Sequence, residues 1–381
     1  MVTIPVSLLG AEAAVAPLLL DAIGQGVSPI AALADIAAAL PGPLQGPDAT
    51  PSVPTGASDI ARADALTYAT LAAVPRLVET FGPQVGGVVV GDHAFALAAT
   101  YDDPATGFSA VELRSLFDDR SVFAVDGTDF SSLPDVVADL NLGRPQAASP
   151  AFAAMVADAA AAALAEHREV VFTGASLGGA LVQVGGYETA EAVLAASPGD
   201  AGRVTVFGVD PLGGRDAAES LNGGALDPAA LERLDALNVR TEGDVVSRVG
   251  SQLGDTVTFQ AVDATGKPVL LSAEDAHVNL VSLLTTLSSD ALFDAGARGD
   301  PGEIGGLTLL ANVFGPAVSE ALADPAVAAL FNRSGAAAPP AGGAFDPTGH
   351  FFDLDANGDG AVDVRLVLGG AVPGADDLLI A

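Results

Sequence analysis

The sequence predicts an α/β fold: a mostly parallel central sheet flanked by helices. Three observations carry that expectation. Half of the 381 residues are hydrophobic and 17% are charged, enough apolar material for a sizeable core. From residue 149 onward, short apolar runs alternate with helical stretches, the pattern of strands joined by crossover helices. The runs EVVFTG (169–174) and RVTVFGV (203–209) are apolar with little alternation, as strands buried on both faces are.

Taken in order, residues 1–40 are Ala/Leu-rich with helical spacing, and the Pro/Gly-rich stretch 41–56 reads as a loop or linker. A second helical segment covers about 59–80. FALAATYDD and GFSAVELRSL have strand character and are separated by Pro104 and Gly107, which predicts a hairpin. SVFAVDG follows as a compact buried strand, then SSLPDVVADL as a helix start. Ser149 and Pro150 form an N-cap and first helical residue, opening a helix that runs to His167. SLGGALVQVGGY after EVVFTG has helical composition. RVTVFGV and LNVRTEG are strands, with a helical stretch near 215–237 between them. DTVTFQAV and KPVLLS predict a further hairpin, residues 277–331 return to helices, and 332–345 are linker-like. The resulting division is an N-terminal helical region with linker (1–90), a core (91–290), a helical extension or cap (291–345) and an acidic segment (346–381).

Composition excludes several classes of function. With 48 acidic against 15 basic residues the formal charge is −33, and Lys267 is the sole lysine. Such a field repels nucleic acid and anionic membrane surfaces. It suits solubility at high salt or loading of divalent cations. The absence of cysteine removes disulfides, Cys-ligated zinc and thiol catalysis. The first twenty residues have no positively charged n-region and are interrupted by Glu12, a poor Sec signal. No uninterrupted apolar stretch reaches the length of a membrane span.

The sharpest chemical signal is Gly174-Ala175-Ser176-Leu177-Gly178, set between a strand and a helix. G-x-S-x-G in that context is a nucleophile elbow: the tight turn strains the Ser backbone, and glycines are needed where side chains would clash. It lifts the Ser176 hydroxyl to the sheet edge and aims the Leu177 N–H, at the helix start, toward a developing oxyanion. A hydroxyl needs a base and an orienting acid to become nucleophilic at neutral pH. In elbow-bearing folds these follow the serine in the order acid, then His. Of the four histidines, His93 and His167 precede Ser176. His277, in a loop after the last core strand, is preferred over His350. Asp244, after strand LNVRTEG, is preferred as the acid over Asp210 at the end of RVTVFGV.

VVFTGASLGGALV resembles the elbow of the class-three, fungal-lipase-like lipases of the α/β-hydrolase superfamily, and SVFAVDGTDFSSLPDVVADLNLG resembles that family's oxyanion strand and following segment. NVRTEGDVVSRVG is similar to its acid-bearing segment. The similarity spans roughly residues 95–290. It implies an α/β-hydrolase fold with 91–290 as catalytic core, and a lipase-like serine carboxylester hydrolase acting through an acyl-enzyme. Ser176 would attack, His277 shuttle the proton and Asp244 hold the imidazole; the Thr128 and Leu177 N–H groups would form the oxyanion hole. The substrate would be an ester or lipid, with no cofactor for the chemistry. Three departures stand out: Ala175 replaces the usual His, Val245 rather than Pro follows the acid, and Asp126 replaces the usual Arg beside the oxyanion donor. A carboxylate at 126 opposes negative charge in the hole unless a cation pairs with it. The alternatives are another Ser-nucleophile hydrolase (thioesterase, phospholipase or polyester depolymerase) and a non-catalytic, calcium-stabilised extracellular protein on a hydrolase scaffold.

A second local signal lies near the C-terminus. From Asp355 the chain reads D-x-N-x-D-G-x-x-D, with Asp355, Asn357 and Asp359 at alternating positions and Gly360 at the turn. The Ala361 carbonyl and Asp363 can complete an oxygen shell for a structural Ca²⁺. Position twelve is Leu366, so Asp353 or a distant carboxylate would supply the missing ligand. The bland alternative is an Asx/Gly-rich turn. The final residues ADDLLIA resemble the uncleaved C-terminal signal of bacterial type I secretion substrates, though the Gly/Asp nonapeptide repeats are absent; a hydrophobic terminus docking on its own domain is the alternative. Secretion through that machinery is the expectation, with a cytoplasmic location the alternative. Fractionation of the native host tests it: the protein should appear in the medium, and recovery from the cell pellet alone would overturn export.

Overall fold

The computed structural model describes residues 62–81, 85–90, 93–128, 142–198 and 203–259. It also describes Lys267, Val269, Leu271, Ala276 and His277, and short strands at 297–298, 343–346, 351–354 and 364–367. The expected helices of 1–40, the linker 41–56, the segment SSLPDVVADL and the bulk of the helices expected over 278–331 lie outside the described residues.

The strands are β1 (Gly87–Val90), β2 (His93–Asp103), β3 (Phe108–Ser115), β4 (Arg120–Val125), β5 (Glu169–Ala175), β6 (Val204–Val209), β7 (Leu234–Thr241), β8 (Asp255–Phe259), β9 (Ala297–Arg298), β10 (Gly343–Asp346), β11 (Phe351–Leu354) and β12 (Val364–Val367). They form one sheet in the order β10-β11-β12-β1-β2-β3-β4-β5-β6-β7-β8-β9. Its centre, β4 to β8, is parallel throughout. The flanking pairs are antiparallel, including the expected β2–β3 hairpin, whose register closes at Asp103 opposite Phe108.

The helices are α1 (Arg62–Leu71), α2 (Val74–Phe81), α3 (Arg144–Ala147), α4 (Pro150–Leu164), α5 (Leu177–Ala196), α6 (Arg215–Leu221) and α7 (Pro228–Leu231). They lie in two layers because the central strands are apolar on both faces. Phe123, Phe172, Val204 and Val206 pack with α4, α5 and α7, whereas Val122, Val171, Phe207 and Val239 pack with α1 and α2. Consecutive residues of one strand thus feed opposite cores, as the two-residue strand period requires. Among the described residues no helix is long and apolar enough to cross a membrane.

Helix α5 is the central one, and most of its residues are buried. Glycines let it press against the sheet: a Cβ on Gly185 would stand 3.0 Å from the Phe172 ring. Helix α4 opens as expected, with Ser149 accepting the Phe152 N–H at 3.1 Å and Pro150 at the first position. It ends at Leu164, earlier than the expected His167. His167 takes a left-handed conformation (φ 56°), and the Arg168 N–H turns back to the Ala162 carbonyl at 2.9 Å.

Three further expectations are corrected. The stretch near 215–237 is not one helix: the chain turns left-handed at Gly223 (φ 68°) and restarts at Pro228, with Asp227 capping the Ala229 N–H at 2.9 Å; β7 then begins at Leu234. The described residues of KPVLLS, namely Lys267, Val269 and Leu271, lie outside any strand. The outer edge of β8 pairs instead with Ala297–Arg298, inside the region expected to be helical. Gly343–Asp346, read as the end of a linker, pairs with β11. Replacing the Ser149 cap by Ala should lower stability by about 1 kcal/mol, read as a reduced urea midpoint with unchanged slope.

Candidate active site

Strand β5 ends and α5 begins around Ser176, whose backbone sits at φ 55°, ψ −122°, strained for a residue with a Cβ. The strain is held from both sides. The Ser176 N–H donates to the Val209 carbonyl at 3.0 Å, and the Ser176 carbonyl accepts from Leu212 N–H at 3.1 Å and Ala180 N–H at 3.3 Å. Glycine is obligatory at 178, since a Cβ there would run into the Val125 and Asp126 carbonyl oxygens. At 127 a Cβ would meet the Ala175 carbonyl at 2.9 Å. The loop after β4 therefore lies directly against the elbow.

The Ser176 side chain makes no capping bond to α5. Its Oγ lies 2.8 Å from His277 Nε2, and His277 Nδ1 lies 3.1 Å from Asp244 Oδ2. The carboxylate can only accept, so the Nδ1 proton donates to it, and Nε2 is left to accept from the Ser176 hydroxyl. Asp244 is buried behind a turn in which Gly243 takes φ 92°. Its Oδ1 accepts the Val246 N–H at 2.8 Å and its Oδ2 the Ser247 N–H at 3.2 Å. His277 is buried too and lies in a helical turn with Ala276. The structure thus brings Ser176, Asp244 and His277 into one hydrogen-bonded chain. His93 lies on β2 and His167 lies in the turn after α4, both outside that chain; His350 lies outside the described residues.

The Leu177 N–H is at the first turn of α5, where the helix itself offers it no acceptor. Thr128 lies in the loop that follows β4. Asp126, in the same loop, has a cation beside it: Arg76 of α2 brings Nη2 to 3.1 Å from Asp126 Oδ2.

Asp210, the alternative acid, lies at the end of β6 in a left-handed conformation (φ 43°) and is buried. Its oxygens accept the Thr241 N–H at 2.6 Å and the Thr241 hydroxyl at 3.2 Å, not the imidazole. Burial, reinforced by the Asp244 charge, pushes its carboxyl well above the usual carboxylate range; His277 and the Thr241 bonds oppose this.

Sequence reasoning missed Arg76 and a buried amide network behind the acid loop. Gln183 Nε2 donates to Gln252 Oε1 at 2.7 Å, and Gln252 Nε2 donates to the Pro211 carbonyl at 2.9 Å and the Ser247 carbonyl at 3.2 Å. The network ties α5 to the loops carrying Asp210 and Asp244. A Gln within the otherwise apolar run 177–186 of α5 was its one visible trace.

Among the described residues no group of three or more His, Asp or Glu is arranged to hold a metal ion. Asp353 falls in β11; Asp355, Asn357, Asp359, Ala361 and Asp363 lie outside the described residues.

A sheet with a parallel centre between two helical layers, with a strained serine between a central strand and its following helix, is the α/β-hydrolase fold. Solved structures similar to the chain include a triacylglycerol lipase from Penicillium expansum, at 12% identity and TM-score 0.38, covering 67% of this chain and 98% of that one. Lipase II from Rhizopus niveus is 16% identical at TM-score 0.38, covering 54% and 82%. A lipase from Rhizopus microsporus var. chinensis is 14% identical at TM-score 0.39, covering 68% and 94%. No protein-family model and no curated protein sequence matches the chain.

The raised Asp210 carboxyl has a consequence for stability. Above the unfolded-state value the folded state holds a proton that the unfolded state has lost, so stability falls as pH rises toward the folded-state value. Asp210→Asn removes that term and keeps an acceptor for the Thr241 N–H. Relative to wild type its urea midpoint should climb from pH 4 upward, and a difference flat across pH would contradict the assignment.

Proposed function

We propose that the chain is a lipase-like serine carboxylester hydrolase that works through an acyl-enzyme. The observation that carries the reading is the unbroken chain Ser176 Oγ–His277–Asp244, at 2.8 and 3.1 Å, mounted on a strained elbow. Every link has the chemistry the reaction requires. His277 Nε2 takes the hydroxyl proton as Ser176 Oγ bonds to the ester carbonyl carbon, and the Asp244 carboxylate holds the resulting imidazolium. The negative charge moving onto the carbonyl oxygen is received by the Leu177 and Thr128 N–H groups. His277 then returns the proton to the departing alcohol oxygen, leaving an acyl group on Ser176. Water, deprotonated by the same imidazole, cleaves it to the free acid.

The acidic spacing at 353–363 gives this reading a structural Ca²⁺. Residues 355–363 connect β11 to β12, whose register sets Leu354 opposite Val364, and carry Asp355, Asn357, Asp359 and Asp363. The ion takes no part in the chemistry.

One experiment tests both. Purified protein is treated with a fluorophosphonate probe with Ca²⁺ and with EGTA, beside Ser176→Ala and Asp244→Asn. Wild type should label and hydrolyse p-nitrophenyl esters; Ser176→Ala should lose both, and Asp244→Asn should lose about 10⁴-fold in kcat. A chain-length series with thioester, phospholipid and polyester arms then sorts the leaving groups. Wild type that neither labels nor turns over would hand the reading to a non-catalytic scaffold. An unchanged melting temperature in EGTA would remove the ion.

A further inference from the structure

Helix α2 and the loop after β4 meet at an ion pair that the mechanism above leaves unused. Arg76 Nη2 lies 3.1 Å from Asp126 Oδ2, and the same nitrogen donates to the Gly127 carbonyl at 3.4 Å. Asp126 Oδ1 in turn accepts the Gly127 N–H at 2.8 Å. Both backbone polar groups of Gly127 are thus held, one by each member of the pair. Arg76 also faces Glu79 of its own helix, at 3.6 Å.

The Gly127 carbonyl shares a planar peptide unit with the Thr128 N–H. In a trans unit the C=O and N–H point in opposite directions, so holding one aims the other. Glycine leaves this unit especially free to rotate, because no Cβ limits the dihedrals on its N-terminal side. The group outside the loop that contacts this unit is the Arg76 guanidinium, whose Nη2 meets the Asp126 carboxylate and the Gly127 carbonyl together.

The charge arrangement points the same way. Where the resembled family carries Arg next to the oxyanion donor, this chain carries Asp126 and brings the guanidinium from a helix earlier in the sequence. With the Arg76 side chain 37% exposed, Coulomb attraction alone contributes little stability. The more consequential effect is geometric.

Building on the hydrolase reading, we propose that Arg76 is a positioning residue of the oxyanion hole: paired with Asp126, it holds the Gly127 carbonyl and so aims the Thr128 N–H at the space in front of Ser176. It also balances the Asp126 carboxylate, which would otherwise oppose charge in the hole.

The test uses the full chain with Arg76→Gln, Arg76→Lys and Asp126→Asn. Active sites are titrated with fluorophosphonate, then kcat and KM are measured per titrated site on a p-nitrophenyl ester. Arg76→Gln should lower kcat per site by about ten- to a hundredfold with little change in KM, the mark of a group serving the transition state. Lysine restores the charge on a shorter, flexible side chain without the planar guanidinium that fixes the donor directions, so Arg76→Lys should recover only part of the rate. Asp126→Asn keeps the Arg76–Gly127 bond and should lose less than Arg76→Gln. A merely structural role would lower the number of titratable sites or the melting temperature and leave kcat per site unchanged; that result overturns the proposal. If Arg76→Gln fails to fold, Arg76→Lys decides it, and full wild-type kcat per site would overturn it. Wild type that does not label overturns the hydrolase reading first, and this proposal with it.

Discussion

The backbone at Ser176 is bent where β5 becomes α5, and the candidate site is arranged around that bend. A residue with a Cβ is held at φ 55° because neighbouring chain segments close in on it. The Val209 carbonyl takes its N–H, the Leu212 and Ala180 N–H groups share its carbonyl, and the loop after β4 packs against the glycines on either side. Holding a non-glycine residue in such a region costs roughly 1–3 kcal/mol. That is sustained because β5 lies mid-sheet, between two cores and between parallel partners. The same parallel arrangement collects the C-terminal ends of β4, β6 and β7 at one edge. The loops at 126–128, 210–214 and 242–250 therefore converge on the serine.

Electrostatics within this edge run against the overall acidity of the chain. Two buried carboxyl groups, Asp210 and Asp244, occupy neighbouring loops, but their partners divide the work. Asp244 takes the imidazole and two backbone N–H groups; Asp210 takes Thr241 and lies in surroundings that disfavour its charge. Arginine, scarce in the sequence, appears where backbone carbonyls need fixing. Arg76 reaches the Gly127 carbonyl and Arg240 the Ser247 carbonyl, each in a loop that bears a candidate site residue.

Local constraints were the legible ones. The elbow could be read because strand, turn and helix are contiguous and each has its own residue signature. Asp244 and His277 could be chosen because the fold orders its functional groups along the chain, and the structure sets both beside Ser176. The Ser149-Pro150 helix start and the β2–β3 hairpin are likewise signals within a few residues. What escaped notice depends on contacts between distant residues. A partly exposed Arg on a helix carries no mark that a carboxylate fifty positions later will meet it, and Gln183 does not announce Gln252. The break at Gly223 was hidden by a helical composition on both sides, and the Ala297–Arg298 strand is too short to have a period of its own. Its identity comes from the open edge of β8.

The far edge of the sheet has an implication for how the chain assembles. β1 has β2 on one side and β12 on the other, with Val88 opposite Leu366. The ribosome makes the parallel centre of the sheet long before it makes β12, and domains fold as their parts emerge. During that interval the outer edge of β1 presents a row of unpaired N–H and C=O groups, a template any other strand can use. Residues 364–367 therefore cover the β1 edge with the chain's own strand, and β11 and β10 extend the sheet beyond it.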